Sequence, residues 1–267
     1  LKDKINLVVD VEKNKQTISD LEKQITLLHA MIVKEIIKKY EIEKSNINLI
    51  GFHGHTILHN FKEKKTMQIG NGRLLTQLTG LNVVNNFREN DIKNGGQGAP
   101  LVPIFHKLLQ KKLKLKTPIL FVNIGGISNA TYIGEDMEIN SLDTGPGNFL
   151  IDKILQLKSK KKIQFDKDGI IAFSGRVDKN ILDSYLDDPY YDLIPPKSLD
   201  VNDFNLSPLR SLNLEDSVAT LSELTSLTII NAINFFRKKP NKIILAGGGR
   251  KNKYIFERIK KLTNISI

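Results

Sequence analysis

The sequence contains no cysteine and no tryptophan. Without thiols there is no disulfide framework, no Cys-ligated zinc or iron–sulfur site and no thiol nucleophile, which fits a reducing, cytoplasmic setting. Aromatic residues make up only 7%, and arginine occurs at only seven positions (73, 88, 176, 210, 237, 250 and 258), so the net charge of +11 comes almost wholly from lysine. Nucleic-acid recognition favours Arg forks with interleaved aromatics, so this charge reads as compositional drift and no nucleic-acid partner is expected. No apolar run approaches membrane-spanning length, which argues against a membrane partner. The chain opens on Leu1 with no charged-then-apolar leader behind it, and is expected to be a fragment. What remains is ordinary globular composition: 40% hydrophobic and 26% charged residues, with a mean hydropathy of -0.22. Spread over 267 residues, that is enough apolar material for one large domain or two moderate ones.

Periodicity supplies the elements. Leu21, Ile25, Leu28, Ile32 and Ile36 recur at helical spacing between Ser19 and Lys44, and His29 beside them reads as structural. Ile47–Phe52 reads as a short strand delivering His53, Gly54 and His55 into a loop, and LLTQLTG before Gly80 as a helix followed by a strand at Leu81–Val84. Asp91–Pro103 carries too many Gly and Pro for a regular element, and a helix is expected at about Ile104–Leu113. Thr117–Val122 and Ala130–Ile133 read as a hairpin, with Pro118 marking a new element and a second domain from about residue 117. Helices are expected at Phe149–Leu157, Val177–Leu186, Ser217–Arg237 and Asn252–Leu262, a strand at Lys242–Ala246, and an irregular loop at Asp188–Pro208.

Three glycine turns each follow an expected strand or precede an expected helix: NIGG at Asn123–Gly126, DTGPGN at Asp143–Asn148 and AGGGRKN at Ala246–Asn252. Such turns present backbone N–H groups to an anion, although each glycine also suits a plain tight turn. None matches the dinucleotide fingerprint or the P-loop. Asp143 is the candidate general base, a carboxylate placed at a strand end where it can face a cleft; an Asx turn or helix cap is the alternative use of the same residue. His53, His55 and His59 lack a carboxylate arrangement that completes a metal pattern, so no protein-ligated metal is expected. His53, with Gln68, Arg88, Asp91 and Gln97 in neighbouring loops, better suits hydrogen bonding to a polyhydroxylated ligand such as a sugar.

The runs GFHGHTILH (Gly51–His59), MQIGNG (Met67–Gly72), NFRENDIKNGGQGAPLVPIFH (Asn86–His106), NIGGISN, DTGPGN, FDKDG (Phe165–Gly169), SGRV (Ser174–Val177), DPYY (Asp188–Tyr191), PPKS (Pro195–Ser198), ATLSELT (Ala219–Thr225) and AGGGRKN together resemble the anhydro-N-acetylmuramic acid kinase family, in that family's order and over nearly the whole chain. The resemblance implies an α/β, two-domain actin-like ATPase (ribonuclease H-like) fold, with residues 1–116 as the remainder of a sugar-side domain and 117–267 as a phosphate- and adenosine-side domain. It implies an ATP- and Mg²⁺-dependent kinase that hydrolyses the 1,6-anhydro ring of anhydro-N-acetylmuramic acid and phosphorylates O6, in cell-wall recycling. Asp143 would be the base. Asn123, Gly125, Gly126, Gly145, Gly147, Gly247, Gly248, Gly249 and Asn252 would line the nucleotide, and a homodimer is left open.

The family's opening phosphate loop, of the form GxMSGTSxDG, and its acidic segment after the AGGG turn have no counterpart here, so the fold is expected to be incomplete at both ends. Asn86, Glu89, Asn90 and Val201 depart from the residues expected at their positions. A non-catalytic remnant that at most binds sugar or nucleotide, and a kinase for another small sugar, are the alternative readings.

Overall fold

The computed structural model describes residues 15–60, 63, 65–96, 98–199 and 204–267; Gln97 and Val201 lie outside them. The chain forms two compact units, one ending at Leu101 and the other spanning Val102–Ile267. This division falls one helix before residue 117.

The described residues of the first unit form helix α1 (Lys15–Lys39), strands β1 (Ile50–Gly51), β2 (His55–Asn60) and β3 (Lys65–Ile69), helix α2 (Gly72–Thr79), strand β4 (Val83–Val84) and helix α3 (Phe87–Lys93). β1 pairs with β4 in parallel, and β2 with β3 as an antiparallel hairpin with a bulge between Thr56 and Leu58. Ile18, Leu21, Ile25 and Ala30 of α1 pack with Phe52, Ile69 and Leu75. The helical stripe expected from the sequence is therefore half used: Leu28, Ile32 and Ile36 remain 46%, 50% and 45% exposed, because the core of this unit reaches no further along α1 than Ala30. Asn71 caps α2, its side chain accepting from Leu74 N–H at 2.9 Å, and Gly80 ends the helix at φ 70°, a conformation that costs glycine little. Two elements depart from the sequence reading. The β2–β3 hairpin occupies a stretch whose polar residues mask the two-residue alternation, and α3 runs into the segment expected to be all loop.

In the second unit, helix α4 (Val102–Lys112) precedes strands β5 (Ile119–Ile124), β6 (Ile127–Ile133) and β7 (Ile139–Pro146). Helices α5 (Asn148–Lys158), α6 (Ile170–Ser174), α7 (Lys179–Leu186) and α8 (Leu214–Asn231) follow, then strand β8 (Lys242–Ala246) and helix α9 (Lys253–Leu262). The sheet order is β7-β6-β5-β8. β6 is antiparallel to both neighbours and β8 is parallel to β5, so β5, β7 and β8 all point the same way and their C-terminal ends share one edge. Both faces of β5 are buried along its apolar run Ile119–Val122, as such a run requires. Leu120, Val122 and Ile124 face the main core, while Ile119 and Phe121 pack with Leu109, Leu115 and Ile133 on the other side. Those contacts attach α4 and its following loop to this unit.

Helix α8 is the axis of the main core and packs against α5, α6, α7 and α9. Buried Thr and Ser side chains on it donate to carbonyls one turn back, as in Thr220 to Asp216 O and Ser226 to Ser222 O, whereas Ser222 Oγ has no partner among the described residues. Glu223 on this helix receives a two-pronged bond from Arg258 of α9, Nε to Oε2 at 2.6 Å and Nη2 to Oε1 at 2.5 Å. With the Glu223 side chain 8% exposed and that of Arg258 32%, removing the guanidinium leaves a mostly buried carboxylate without its counter-charge. Arg258→Met is expected to cost about 2–3 kcal/mol, read as a lowered denaturation midpoint with unchanged m-value.

Candidate functional site

The shared edge of β5, β7 and β8 brings the three glycine turns into one structure. The N–H groups of Gly147 and Phe149 donate to Gly126 O at 2.9 and 3.1 Å, and that of Asn148 donates to Gly125 O at 2.7 Å. The Asn148 side chain donates to Ile124 O at 3.2 Å. On the other side, a Cβ on Gly247 would lie 2.6 Å from both Asn123 Oδ1 and Ile124 O, and one on Gly249 would overlap the Ile124 side chain. The hairpin tip is thus clamped between the other two turns.

Within this cluster the glycines do different jobs. Gly145 (φ 159°) sits where a Cβ would fall 2.7 Å from Thr228 Oγ1, and a Cβ on Gly147 would overlap Gly125 O. Both are glycines because protein atoms approach them closely. Thr225 Oγ1 lies 3.0 Å from Pro146 O, so α8 holds this turn from below. Gly126 and Gly248 are exposed, and a Cβ added at either would meet its nearest neighbour only at 3.7 and 3.8 Å, respectively. Among the described residues, no acceptor takes the N–H of Gly125 or Gly126. The α5 N-terminus is therefore plugged by the hairpin's carbonyls, and the hairpin tip is what offers donors to an external anion. Asn252 is buried and caps α9, its side chain accepting from Ile255 N–H at 3.3 Å, while Asp166 accepts from Ile171 and Ala172 at the start of α6.

Asp143 lies in β7 opposite Asn129, at a bulge that leaves Thr144 as the extra residue before Gly145. Bulges of this kind re-aim a side chain at the end of a ladder. A strap formed by residues 189–199 covers it. Asp143 N–H donates to Lys197 O at 3.0 Å, Leu199 N–H donates to Asp143 Oδ2 at 2.9 Å, and the Tyr190 hydroxyl donates to Asp143 O at 2.6 Å. Among the described residues Oδ1 has no partner. Burial pushes the Asp143 carboxyl up to about 6, against a smaller opposing pull from the Leu199 N–H. Such a group is mostly ionised at neutral pH yet a stronger base than an ordinary carboxylate, the balance that proton abstraction favours. The segment 188–208 reads as an irregular loop in the sequence. Apart from the runs DPYY and PPKS, the signal for the strap there is a lone lysine set among prolines and tyrosines.

The other candidate residues belong to the first unit. His53 and His55 are exposed at the start of β2. Gln68 on β3 donates to Thr66 Oγ1 at 2.8 Å. Arg88 on α3 is half-buried, and burial lowers its guanidinium from the ordinary value. Asp91 accepts from Gly98 N–H at 2.7 Å and so closes the loop after α3, while Gln97 in that loop is outside the described residues. His29 is structural: its Nδ1 lies 2.8 Å from Ile25 O and its ring 5.0 Å from that of Phe52.

The family model for anhydro-N-acetylmuramic acid kinase matches residues 1–266. The chain is 43% identical over 270 residues to the anhydro-N-acetylmuramic acid kinase of Pelagibacter ubique, covering 98% of this chain and 70% of that protein. It is 41% identical to the enzyme of that name in Brucella canis, covering 91% of this chain and 65% of the relative, and 39% identical to that of Agrobacterium fabrum, covering 92% and 66%. The chain therefore spans about two thirds of the length of these relatives. Among solved structures, the activator of the 2-hydroxyisocaproyl-CoA dehydratase from Clostridium difficile with bound ADPNP aligns at a TM-score of 0.40 and 12% identity over 76% of this chain and 77% of that one, a likeness too loose to argue from.

Proposed function

The chain belongs to the anhydro-N-acetylmuramic acid kinase family, and from that premise we propose that it contributes the catalytic base and the phosphate-side turns of an ATP-dependent kinase for 1,6-anhydro-N-acetylmuramic acid. The observation that carries the reading is Asp143: a half-buried carboxyl raised to about 6, one oxygen held and the other without a partner among the described residues, on the strand that leads into the cluster of glycine turns.

In the reaction, Asp143 takes a proton from water as the water oxygen bonds to the anomeric carbon. The C1–O6 bond of the anhydro bridge breaks, O6 bonds to the γ-phosphorus of ATP, and the bond to the β-phosphate oxygen breaks to release ADP. The products are N-acetylmuramic acid 6-phosphate, ADP and the proton first held by Asp143. One base serves because the ring-opening oxygen is itself the phosphoryl acceptor.

The hairpin amides of Gly125 and Gly126 and the exposed Gly248 are assigned to the phosphates, with Asn123, Gly145, Gly147, Gly247, Gly249 and Asn252 shaping the turns that present them. His53, Gln68, Arg88, Asp91 and Gln97 are assigned to the sugar, and the two units to the two α/β domains of an actin-like ATPase. Among the described residues no group of three His, Asp or Glu side chains is placed to hold a metal. Mg²⁺ would enter with ATP, held mainly by phosphate oxygens and water. Bound there, the ion would neutralise charge on the β- and γ-phosphates. No helix among the described residues is long and apolar enough to cross a membrane; a cytoplasmic place in cell-wall recycling is part of the proposal.

Gly126→Ala separates this reading from a purely structural turn. A methyl group there meets nothing within 3.7 Å, so stability should be unchanged. Intruding on the phosphates, it should raise KM for ATP about tenfold. An unchanged KM in the full-length protein removes the hairpin from the nucleotide site.

A further inference from the structure

Lys197 is 9% exposed, a rare placement for a lysine. Its ammonium meets no carboxylate within ion-pair distance among the described residues; instead it donates to Tyr190 O at 3.1 Å and Tyr191 O at 3.0 Å. It also lies 4.7 Å from the centre of the Tyr190 ring and 4.1 Å from that of Phe235, just beyond α8. Burial lowers this lysine from its ordinary value, with Asp192 opposing. A desolvated cation held by carbonyls and aromatic faces is an expensive arrangement for a loop with no task.

Its location shows what it joins. Tyr190 and Tyr191 form one arm of the strap, and Lys197 and Leu199 the other. The first arm reaches β7 through the Tyr190 hydroxyl on Asp143 O, and the second through Lys197 O and the Leu199 N–H. The lysine head closes the loop between the arms, and the Phe235 face pins that closure to the core. We propose that Lys197 is a positioning residue for Asp143: its ammonium ties the two arms of the 189–199 strap together, and so keeps the strap over the carboxyl and the Leu199 N–H on Oδ2. The inference deepens the assignment of Asp143 as base and rests on it for its catalytic consequence, though not for its structural one.

The charged groups on the strap are Lys197 and Asp192, with Asp188 directly before it. Asp192 acts on Lys197 and Asp188 on Tyr191, whereas Asp143 responds only to its burial and to the Leu199 amide. Loosening the strap therefore has two opposed effects on Asp143, loss of a donor and entry of water. Burial is the larger influence, so water entry decides the sign, and the carboxyl should move down toward ordinary aspartate.

The test is a carbon-13 titration of the Asp143 carboxyl in the full-length protein, in parallel with the pH profile of kcat. In Lys197→Met the midpoint should fall by about one unit, the acid limb of kcat should move with it, and kcat should drop about tenfold or more with KM for ATP unchanged. Lys197→Arg, which restores a cation over the rings, should recover part of the shift. Phe235→Leu keeps the lysine and removes one ring face, and should shift the midpoint in the same direction by less; it serves if the Met variant has no cooperative melt. A midpoint that stays in place or rises in these variants, whatever happens to the melting temperature, overturns the proposal. A midpoint that falls while the kcat limb stays put leaves the strap standing and sinks Asp143 as the base.

Discussion

Asp143→Asn is expected to lower kcat about 10²- to 10⁴-fold, the range over which a general base contributes, while making the folded protein more stable at alkaline pH. The second half follows from linkage. The folded protein holds this carboxyl at about 6 against 3.8 for a free aspartate, so folding favours the protonated form. Its contribution to stability is fully present below pH 3.8 and is lost as the pH rises through about 6, where the native state must carry a half-buried charge. A difference of about two pH units corresponds to at most about 3 kcal/mol, less whatever solvent reaches the carboxylate. Asparagine still accepts the Leu199 N–H but carries no charge. At about pH 8 the variant should melt above the parent, and the gap should close below about pH 4. Paired melts and turnover at both pH values check this. A variant that is inactive and also less stable at the alkaline pH would mean the side chain supports the fold and not the chemistry.

Gly147→Ala should be among the most damaging small substitutions in the second unit. The added methyl overlaps Gly125 O, a backbone atom that already accepts from Asn148 N–H at 2.7 Å, so it cannot retreat without breaking that bond. Gly126 O, 3.1 Å from the same methyl, takes two further N–H groups. Overpacking together with loss of at least one hydrogen bond should cost about 2–3 kcal/mol, measured as a shift in denaturant midpoint. Gly126→Ala, in the partner turn, is the internal comparison. If Gly147→Ala melts like the parent, the hairpin is not clamped to α5 as described.

The contrast between these two glycines marks where the sequence stops being informative. Strands β5, β6 and β8 and helices α5 and α9 are legible because strongly apolar runs are bounded by glycine or asparagine. The convergence of their turns follows once the strands are placed in one sheet. Which glycine serves the protein and which is open to solvent is not legible, since that depends on atoms brought in from other turns. The β2–β3 hairpin is hidden because neither strand buries a full face: β3 buries only Ile69 completely. α4 belongs to the second unit through Leu109 and Leu115, whereas Pro118 gives the later and more visible punctuation. The bulge at Thr144 and the strap over Asp143 depend on register and on a contact 56 residues away, neither of which has a local signature.

Because Gly147, Asn148 and Phe149 give their N–H groups to the hairpin tip, the first turn of α5 is a built-in reporter. Deuterium uptake at those three amides measures how often the tip lifts away. A ligand gripping the tip from outside would slow that uptake without touching the helix. Motion at the surface is thereby written into a segment that α8 anchors through Thr225.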